Sequence, residues 1–263
     1  MRLRDRVVLI TGAGSGIGKD TAVEMARCGS IPVLVGRTES KLAPVVEEAR
    51  KYRPEAITEV CDVAAEDMVR EMVRKVYERF QHIDVLINNA GIMTVKLFED
   101  LSEDEFDEHF RTNFYGALNL VRSVVPIMKK QGEGVIMNVT SVGGKLIVPG
   151  TTGYAASKAA LYAFSEALYY ELADSGIHVG VVLPASIHTE ILTNTTTRLG
   201  EYYSRQCNLH PVRVAKAIRT AIEKERFETI VPFSSRFLLA SHDLFPGLFR
   251  KALRNRLRPY LKA

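Results

Sequence analysis

The chain has 263 residues, 46% hydrophobic and 25% charged; that is enough to bury a large core, and it excludes disorder as the dominant state. Cys28, Cys61 and Cys207 are too few and too scattered for a disulfide framework or a zinc knuckle, and the six histidines show no metal-ligand spacing. Reduced thiols, a cytoplasmic setting and no metal are the expectations. The net charge of +4 is uneven: from Ser234 onward seven Lys/Arg face Asp243 alone, whereas residues 1–233 carry 28 basic and 30 acidic side chains. A near-neutral body does not suit nucleic-acid binding. Met1-Arg-Leu-Arg-Asp-Arg runs directly into an apolar segment, so neither a signal peptide nor a membrane span is expected.

Short apolar, β-branched runs alternate with helix-length segments. The first, Val7-Val8-Leu9-Ile10, is followed by Pro32-Val33-Leu34-Val35, Ile57 to Cys61, Val85-Leu86-Ile87, Val135 to Val139, Val179 to Leu183 and Glu228-Thr-Ile-Val231. Strands that are apolar on both faces belong to a parallel sheet covered by helices on both sides. Between them, Glu66 to Phe80 places Met68, Met72, Val76 and Phe80 at intervals of four, a predicted buried stripe. The pattern predicts one doubly wound α/β sheet of about seven strands. Residues 1–233 form its catalytic body, with a substrate loop near 184–210, and residues 234–263 a basic helical extension.

After the first strand comes Thr11-Gly12-Ala13-Gly14-Ser15-Gly16-Ile17-Gly18. Glycines there permit a tight turn and close approach of backbone to a pyrophosphate, which the next helix N-terminus then faces. The spacing departs from G-x-G-x-x-G, and an ordinary glycine-rich turn is the alternative. The second strand ends Val35-Gly36-Arg37. A carboxylate there would repel a 2′-phosphate, whereas an arginine fork suits one, so NADP(H) is preferred over NAD(H). Against this, Arg37 could be a solvated residue opening the next helix, and Glu39 could still reach a ribose.

Tyr154-Ala-Ala-Ser-Lys158 puts a phenol and an ammonium on one helix face. A nearby ammonium favours phenolate, which suits general acid/base work on a carbonyl or hydroxyl oxygen. Alone, the pair reads equally as a surface pair. Its company is Thr140-Ser141 after the fifth strand, Asn88-Asn89-Ala90-Gly91 after the fourth, and Asn113 in a helical segment.

In order and approximate spacing, Thr11-Gly12-x3-Gly16-x-Gly18, Asn88-Asn89-Ala90-Gly91, Asn113, Ser141 and Tyr154-x3-Lys158 resemble the short-chain dehydrogenase/reductase family over residues 5 to 190. The resemblance implies hydride transfer between nicotinamide and a carbonyl or secondary alcohol. Tyr154 would be the proton donor and Ser141 would orient the substrate oxygen. Lys158 would bind ribose and lower the tyrosine pKa, and Asn113 would support a proton relay. It further implies cofactor contacts from Gly12, Ser15, Gly16, Ile17, Gly18, Asp62, Val63, Asn89, Ala90, Gly91, Pro184, Ile187 and Thr189, and a homodimer or homotetramer. Ala185 stands where the family has glycine, and an alanine would strain a positive φ.

The substrate pocket is expected from Met93, Thr94, Val142, Gly143, Leu146 and the loop Ile191 to Leu209, with His188 as a packing residue near its mouth. At the end of the chain Phe249, Leu253, Leu257 and Leu261 alternate with Arg250, Arg254 and Arg258 on a helix-period pattern from Leu248 to Leu261. Such a stripe either packs on the body or lies on a membrane surface; the second reading favours a lipid-like 3-keto substrate. A catalytically silent dinucleotide-binding module is a further alternative.

Overall fold

The computed structural model describes residues 1–187, 197–207 and 209–261. Seven parallel strands form one sheet in the order β3-β2-β1-β4-β5-β6-β7: β1 Val7–Thr11, β2 Ile31–Gly36, β3 Ile57–Val60, β4 Val85–Asn88, β5 Gly134–Val139, β6 Ile177–Pro184 and β7 Glu228–Val231. All seven correspond to the predicted runs, and the doubly wound class is as the sequence indicates.

Alternation along each strand divides the core in two. Val8 and Ile10 join Ala22 and Met25 of α1 (Gly16–Arg27) and Ile218 and Ile222 of α8 (Pro211–Glu223). Val7 and Leu9 face the other way, onto Val69 and Val76 of α3 (Glu66–Phe80) and Leu120 and Val124 of α5 (Gly116–Gln131). Burial on both faces is why the central strands are mostly apolar, with their polar residues, Thr11, Asn88 and Asn138, buried and hydrogen-bonded. In α3 the buried stripe is Val69, Met72, Val73 and Val76, while Met68 is exposed. The predicted interval-of-four row is thus rotated: a helix face needs mixed spacings of three and four to stay aligned with 3.6 residues per turn.

Strand order reverses between β1 and β4, opening a crevice at their carboxyl ends. α2 (Glu39–Arg50) follows β2, α4 (Glu103–Phe110) precedes a π-turn at Arg111–Tyr115, and α6 (Thr152–Glu171) follows β5. Beyond β6 come α7 (Arg198–Arg205) and α8, and beyond β7 a hairpin of α9 (Ser235–Leu244) and α10 (Pro246–Leu257). α10 stops short of the predicted Leu261 and passes into a 3-10 turn at Arg258–Tyr260, where Pro259 has no N–H with which to continue the α-helical ladder.

At the opposite, amino edge of the sheet, buried Asp84 ties three strands. Its carboxylate accepts from the Val7 N–H and the Arg6 guanidinium, each at 2.7 Å. Its own N–H donates to the Val7 carbonyl, and its carbonyl accepts from Val135. Removing the carboxylate leaves the buried Val7 N–H without its partner and leaves Arg6 with Glu133 alone. Asp84→Ala is therefore expected to lower unfolding free energy by about 2–4 kcal/mol in urea titrations. Turnover well below the melting temperature should be preserved, because the catalytic edge lies at the other end of the strands.

Candidate active site

The glycine-rich turn is shaped by steric demands that its neighbours impose. Gly12 and Gly16 have φ of +63° and +52°, where a side chain costs energy. A Cβ at Gly12 would sit 3.0 Å from both the Ala90 Cα and the Asn89 Nδ2, and one at Gly18 would collide with the Gly12 carbonyl. Gly18 therefore works from beneath, letting α1 close on the turn. The Thr11 hydroxyl accepts from the N–H groups of Asn89 (2.9 Å) and Ala90 (3.0 Å), and the Asn89 Nδ2 donates to the Thr11 carbonyl at 2.9 Å. The ends of β1 and β4 are thus fixed edge to edge around a cradle open to a ligand backbone.

β2 ends beside this turn. The Ala13 N–H donates to the Val35 carbonyl at 3.1 Å, and Cys61 N–H to the Gly36 carbonyl at 3.0 Å. Arg37 and Glu39 are exposed, Arg37 next to this junction and Glu39 at the first position of α2. At the end of β3, the Asp62 carboxylate caps its own turn by accepting from Ala64 N–H at 3.0 Å. Val63 is buried, and its carbonyl accepts from Asn119.

α6 carries the phenol and ammonium. Its position is set from below by a buried polar chain: Asn88 Nδ2 donates to Asn138 Oδ1 (2.8 Å), and Asn138 Nδ2 to the Ser165 hydroxyl (2.8 Å). This chain registers β4, β5 and α6 against one another. Lys158 is buried, and its Nζ donates to the Val139 carbonyl at 2.9 Å. Burial pushes its pKa from 10.5 down to about 8. A Cβ built on Gly91 would lie 3.3 Å from the Lys158 Nζ and 3.2 Å from Asn113 Oδ1, so these three residues meet at one point. Ser141 accepts from Gly143 N–H at 2.9 Å, and a Cβ on Gly143 would touch both the Ser141 Oγ and the Tyr154 ring.

Two features differ from expectation. Burial raises the Tyr154 phenol pKa, with the Ser141 hydroxyl pulling it partly back, and Lys158 does not reverse the direction; the lysine is itself buried and engaged with Val139. The side-chain amide of Asn113 has both of its donors and one acceptor position engaged. Its Oδ1 accepts from Ile92 N–H (2.8 Å), and its Nδ2 donates to the Ile92 carbonyl (3.0 Å) and the Ser157 hydroxyl (2.9 Å). Asn113 lies within the π-turn, a geometry that recurs at functional sites.

One cavity of about 490 Å³ gathers Gly12, Ser15, Gly16, Ile17, Asn89, Ala90, Gly91, Ser141, Tyr154, Lys158, Pro184 and Ile187. Gly18, Arg37, Asp62, Val63 and Asn113 stand outside its wall, and Thr189 and His188 lie outside the described residues. Ala185 does not have a positive φ; its N–H donates to the Val231 carbonyl in sheet-like fashion, so the missing glycine causes no strain. Met93, Val142, Gly143 and Leu146 line the substrate end as expected, but Thr94 turns away and its N–H donates to His109 Nε2.

Most of the cavity lies within the stretch that matches a known family. Residues 6–200 fit the family model described as short chain dehydrogenase. The chain is 31% identical to Dehydrogenase/reductase SDR family member 7B of Danio rerio over 97% of its own length and 87% of that protein. It is 39% identical to 3-oxoacyl-acyl-carrier-protein reductase FabG of Thermotoga maritima, over 72% and 77%. A short chain dehydrogenase/reductase from Burkholderia phymatum, solved in complex with NAD, superposes with a TM-score of 0.87 at 27% identity, covering 94% of this chain and 96% of that one. The chain belongs to the short-chain dehydrogenase/reductase family. It is an oxidoreductase of CH–OH and C=O groups that uses a nicotinamide cofactor.

This dehydrogenase has a substrate wall that sequence reasoning missed. Ser235, Leu238, Leu253, Arg256 and Leu257, all from the C-terminal extension, join Tyr202 and Tyr203 around the cavity. Arg256 Nε donates to the Tyr202 hydroxyl at 2.8 Å, and Leu257 packs with Val95 and Leu199. The signal was present as the interval-of-four row Phe249, Leu253, Leu257: that row faces inward, onto the body. Of the two readings of this stripe, packing on the body is the one the structure shows.

The depressed lysine pKa has a stability consequence. Below about pH 8 Lys158 is charged in both folded and unfolded chains, and the full cost of burying the charge is present. Between about 8 and 10.5 the unfolded chain binds more protons, so stability contributed at this site rises with pH. Without added cofactor, Lys158→Met should shift stability by a constant offset below pH 8, and the wild type should gain on the variant from pH 8 to 10. Urea titrations of both proteins across that range test this. Parallel profiles would show that the charge is not buried at a cost.

Proposed function

We propose that this short-chain dehydrogenase is an NADP(H)-dependent reductase of an apolar, lipid-like ketone, with residues 1–233 as catalytic body and 234–263 as an extension closing the substrate side. The observation that carries the reading is the single cavity in which Ser141, Tyr154 and Lys158 converge beside the glycine cradle, with Met93, Val142, Leu146, Leu238, Leu253 and Leu257 on the far wall. The residues present fit a dinucleotide. Gly12, Ser15, Gly16 and Ile17 line the cavity where α1 begins, so the N-terminus of α1 adjoins the space a pyrophosphate would take.

A bound nicotinamide supplies or takes the hydride. Ser141, held by the Gly143 N–H, donates its own proton to the substrate oxygen and orients it. Tyr154 gives the proton to that oxygen. Its raised pKa keeps the phenol protonated near neutrality, as a donor must be, and proton loss becomes favourable once charge develops beside Lys158. Lys158 then serves as the cation opposite the phenolate and as donor to a ribose hydroxyl. Because both donors of the Asn113 amide are held by Ile92 and Ser157, a relay from Lys158 would run through the main-chain carbonyl of Asn113. Cofactor contacts from Ser15, Asp62, Val63, Pro184, Ile187 and Thr189, and assembly as a homodimer or homotetramer, complete the reading. Retention of serine, tyrosine and lysine in one cavity disfavours the silent dinucleotide-binding alternative.

Tyr154→Phe should lower kcat by about 10²–10⁴-fold while leaving NADPH affinity, measured by fluorescence titration, little changed. Near-normal turnover by the variant would remove Tyr154 from its role. The NADP(H) preference rests on exposed Arg37 beside the Val35–Gly36 end of β2. Arg37→Ala should weaken NADPH binding by about tenfold or more, the worth of a charge-assisted phosphate contact, with NADH nearly unaffected. Equal losses for both cofactors would mean that Arg37 does not read the 2′-phosphate. A panel of ketones from small polar to long-chain, followed by nicotinamide absorbance, tests the substrate class.

A further inference from the structure

The α9–α10 hairpin has two apolar faces, and the body covers one of them. Leu239, Phe249, Leu253 and Leu257 turn inward. On the other side, Phe233, Phe237, Leu244, Phe245 and Leu248 are 65%, 70%, 72%, 62% and 70% exposed. Scattered exposed apolar residues are ordinary, but five large ones within sixteen residues form a patch. Phe233 and Phe237 pack edge to face, with ring centroids 6.1 Å apart. Phe237 and Leu244 lie seven apart on α9, hence on one face, and Phe245 and Leu248 continue the row across the corner.

The surroundings of the patch are basic. Arg236, Arg250, Lys251, Arg254 and Arg258 are all exposed, and among the described residues none makes an ion pair. The extension's one acid, Asp243, is spent on His242. A two-fold contact with a second copy through this face would bring each set of cations against its twin, at a cost in repulsion. A surface that is apolar at its centre, cationic at its rim and built of short helices matches the interface of an anionic bilayer. At ten and twelve residues neither helix can span one.

We propose that the α9–α10 hairpin docks this protein onto anionic membranes, with Phe233, Phe237, Leu244, Phe245 and Leu248 entering the headgroup–acyl boundary while the flanking arginines and lysine meet lipid phosphates. Leu238, next to Phe237, is 46% exposed and also lines the cavity, and Arg256 stands at the same wall. Docking on this face sets the substrate side of the cavity against the lipid surface. That last consequence rests on the reductase reading; the docking itself does not.

The test uses the full chain and flotation with vesicles of phosphatidylcholine alone or with about 30% phosphatidylglycerol, at low and high salt. Two variants accompany it: Phe237→Ser/Leu244→Ser/Leu248→Ser for insertion and Arg250→Glu/Arg254→Glu for charge. None of these residues lines the cavity, so turnover of a water-soluble ketone should match the parent and certify folding. The parent is expected to float with the anionic vesicles. Each variant, and the parent at high salt, should partition about tenfold or more weakly. The proposal falls if no vesicle retains the parent, or if the variants float as the parent does. It falls equally if the apolar variant instead dissolves a dimer seen by sedimentation, which would make this face a self-contact. Vesicle binding by a protein that reduces no ketone would strike the reductase reading and leave the docking intact.

Discussion

Thr11 is the hinge on which the catalytic edge depends. Its hydroxyl accepts from two successive N–H groups of the β4 end, while its carbonyl accepts from Asn89. Three hydrogen bonds thereby hold the two strands between which the sheet order reverses. Every other feature of the site is measured from that junction. Gly12 and Gly16 turn away from it, Gly18 lets α1 close beneath it, and Gly91 carries the β4 backbone to within reach of Lys158 and Asn113. A doubly wound sheet offers a crevice at this place on topological grounds alone; the Thr11 bonds give it a fixed width.

The second constraint is electrostatic. A lysine buried against a backbone carbonyl and a half-buried tyrosine beside a serine hydroxyl are each driven toward their neutral forms. That arrangement sits uneasily with folding but suits acid/base work, since little solvent reorganisation is needed when charge appears between them. The rigidity it demands comes from below. The Asn88–Asn138–Ser165 chain is polar, buried and shared by two strands and a helix, so α6 cannot slide without breaking it.

Strands, the class of sheet and the cavity-forming motifs were legible in the sequence because each depends on local chemistry: unbroken apolar runs, glycines at turns, and a fixed four-residue spacing on a helix. What escaped depended on long-range packing. Met68 matches the interval-of-four row, yet it is exposed, because the α3 stripe drifts with the true helical repeat. Ala185 looked like a strained substitution, but sheet pairing with Val231 removes any need for a positive φ. The Asn113 amide could not be assigned from sequence, since its partners Ile92 and Ser157 are brought to it only by the π-turn and by α6.

The extension carries the largest such effect. Periodicity in α10 identifies an apolar row, but periodicity cannot say whether protein or lipid covers it. In the folded chain Leu253 and Leu257 complete a wall of the cavity with Tyr202 and Tyr203, so of the two readings it is packing on the body that covers this row. The residues left outside, Phe233 through Leu248, follow no long single-helix period because they straddle two helices and the corner between them. Folding the hairpin aligns them. One short segment thus both closes the substrate cavity and exposes an apolar, cation-rimmed face, and Leu238 touches both. Leu238 lines the cavity that holds Ser141 and Tyr154 and borders the exposed apolar face, so the same two helices shape both.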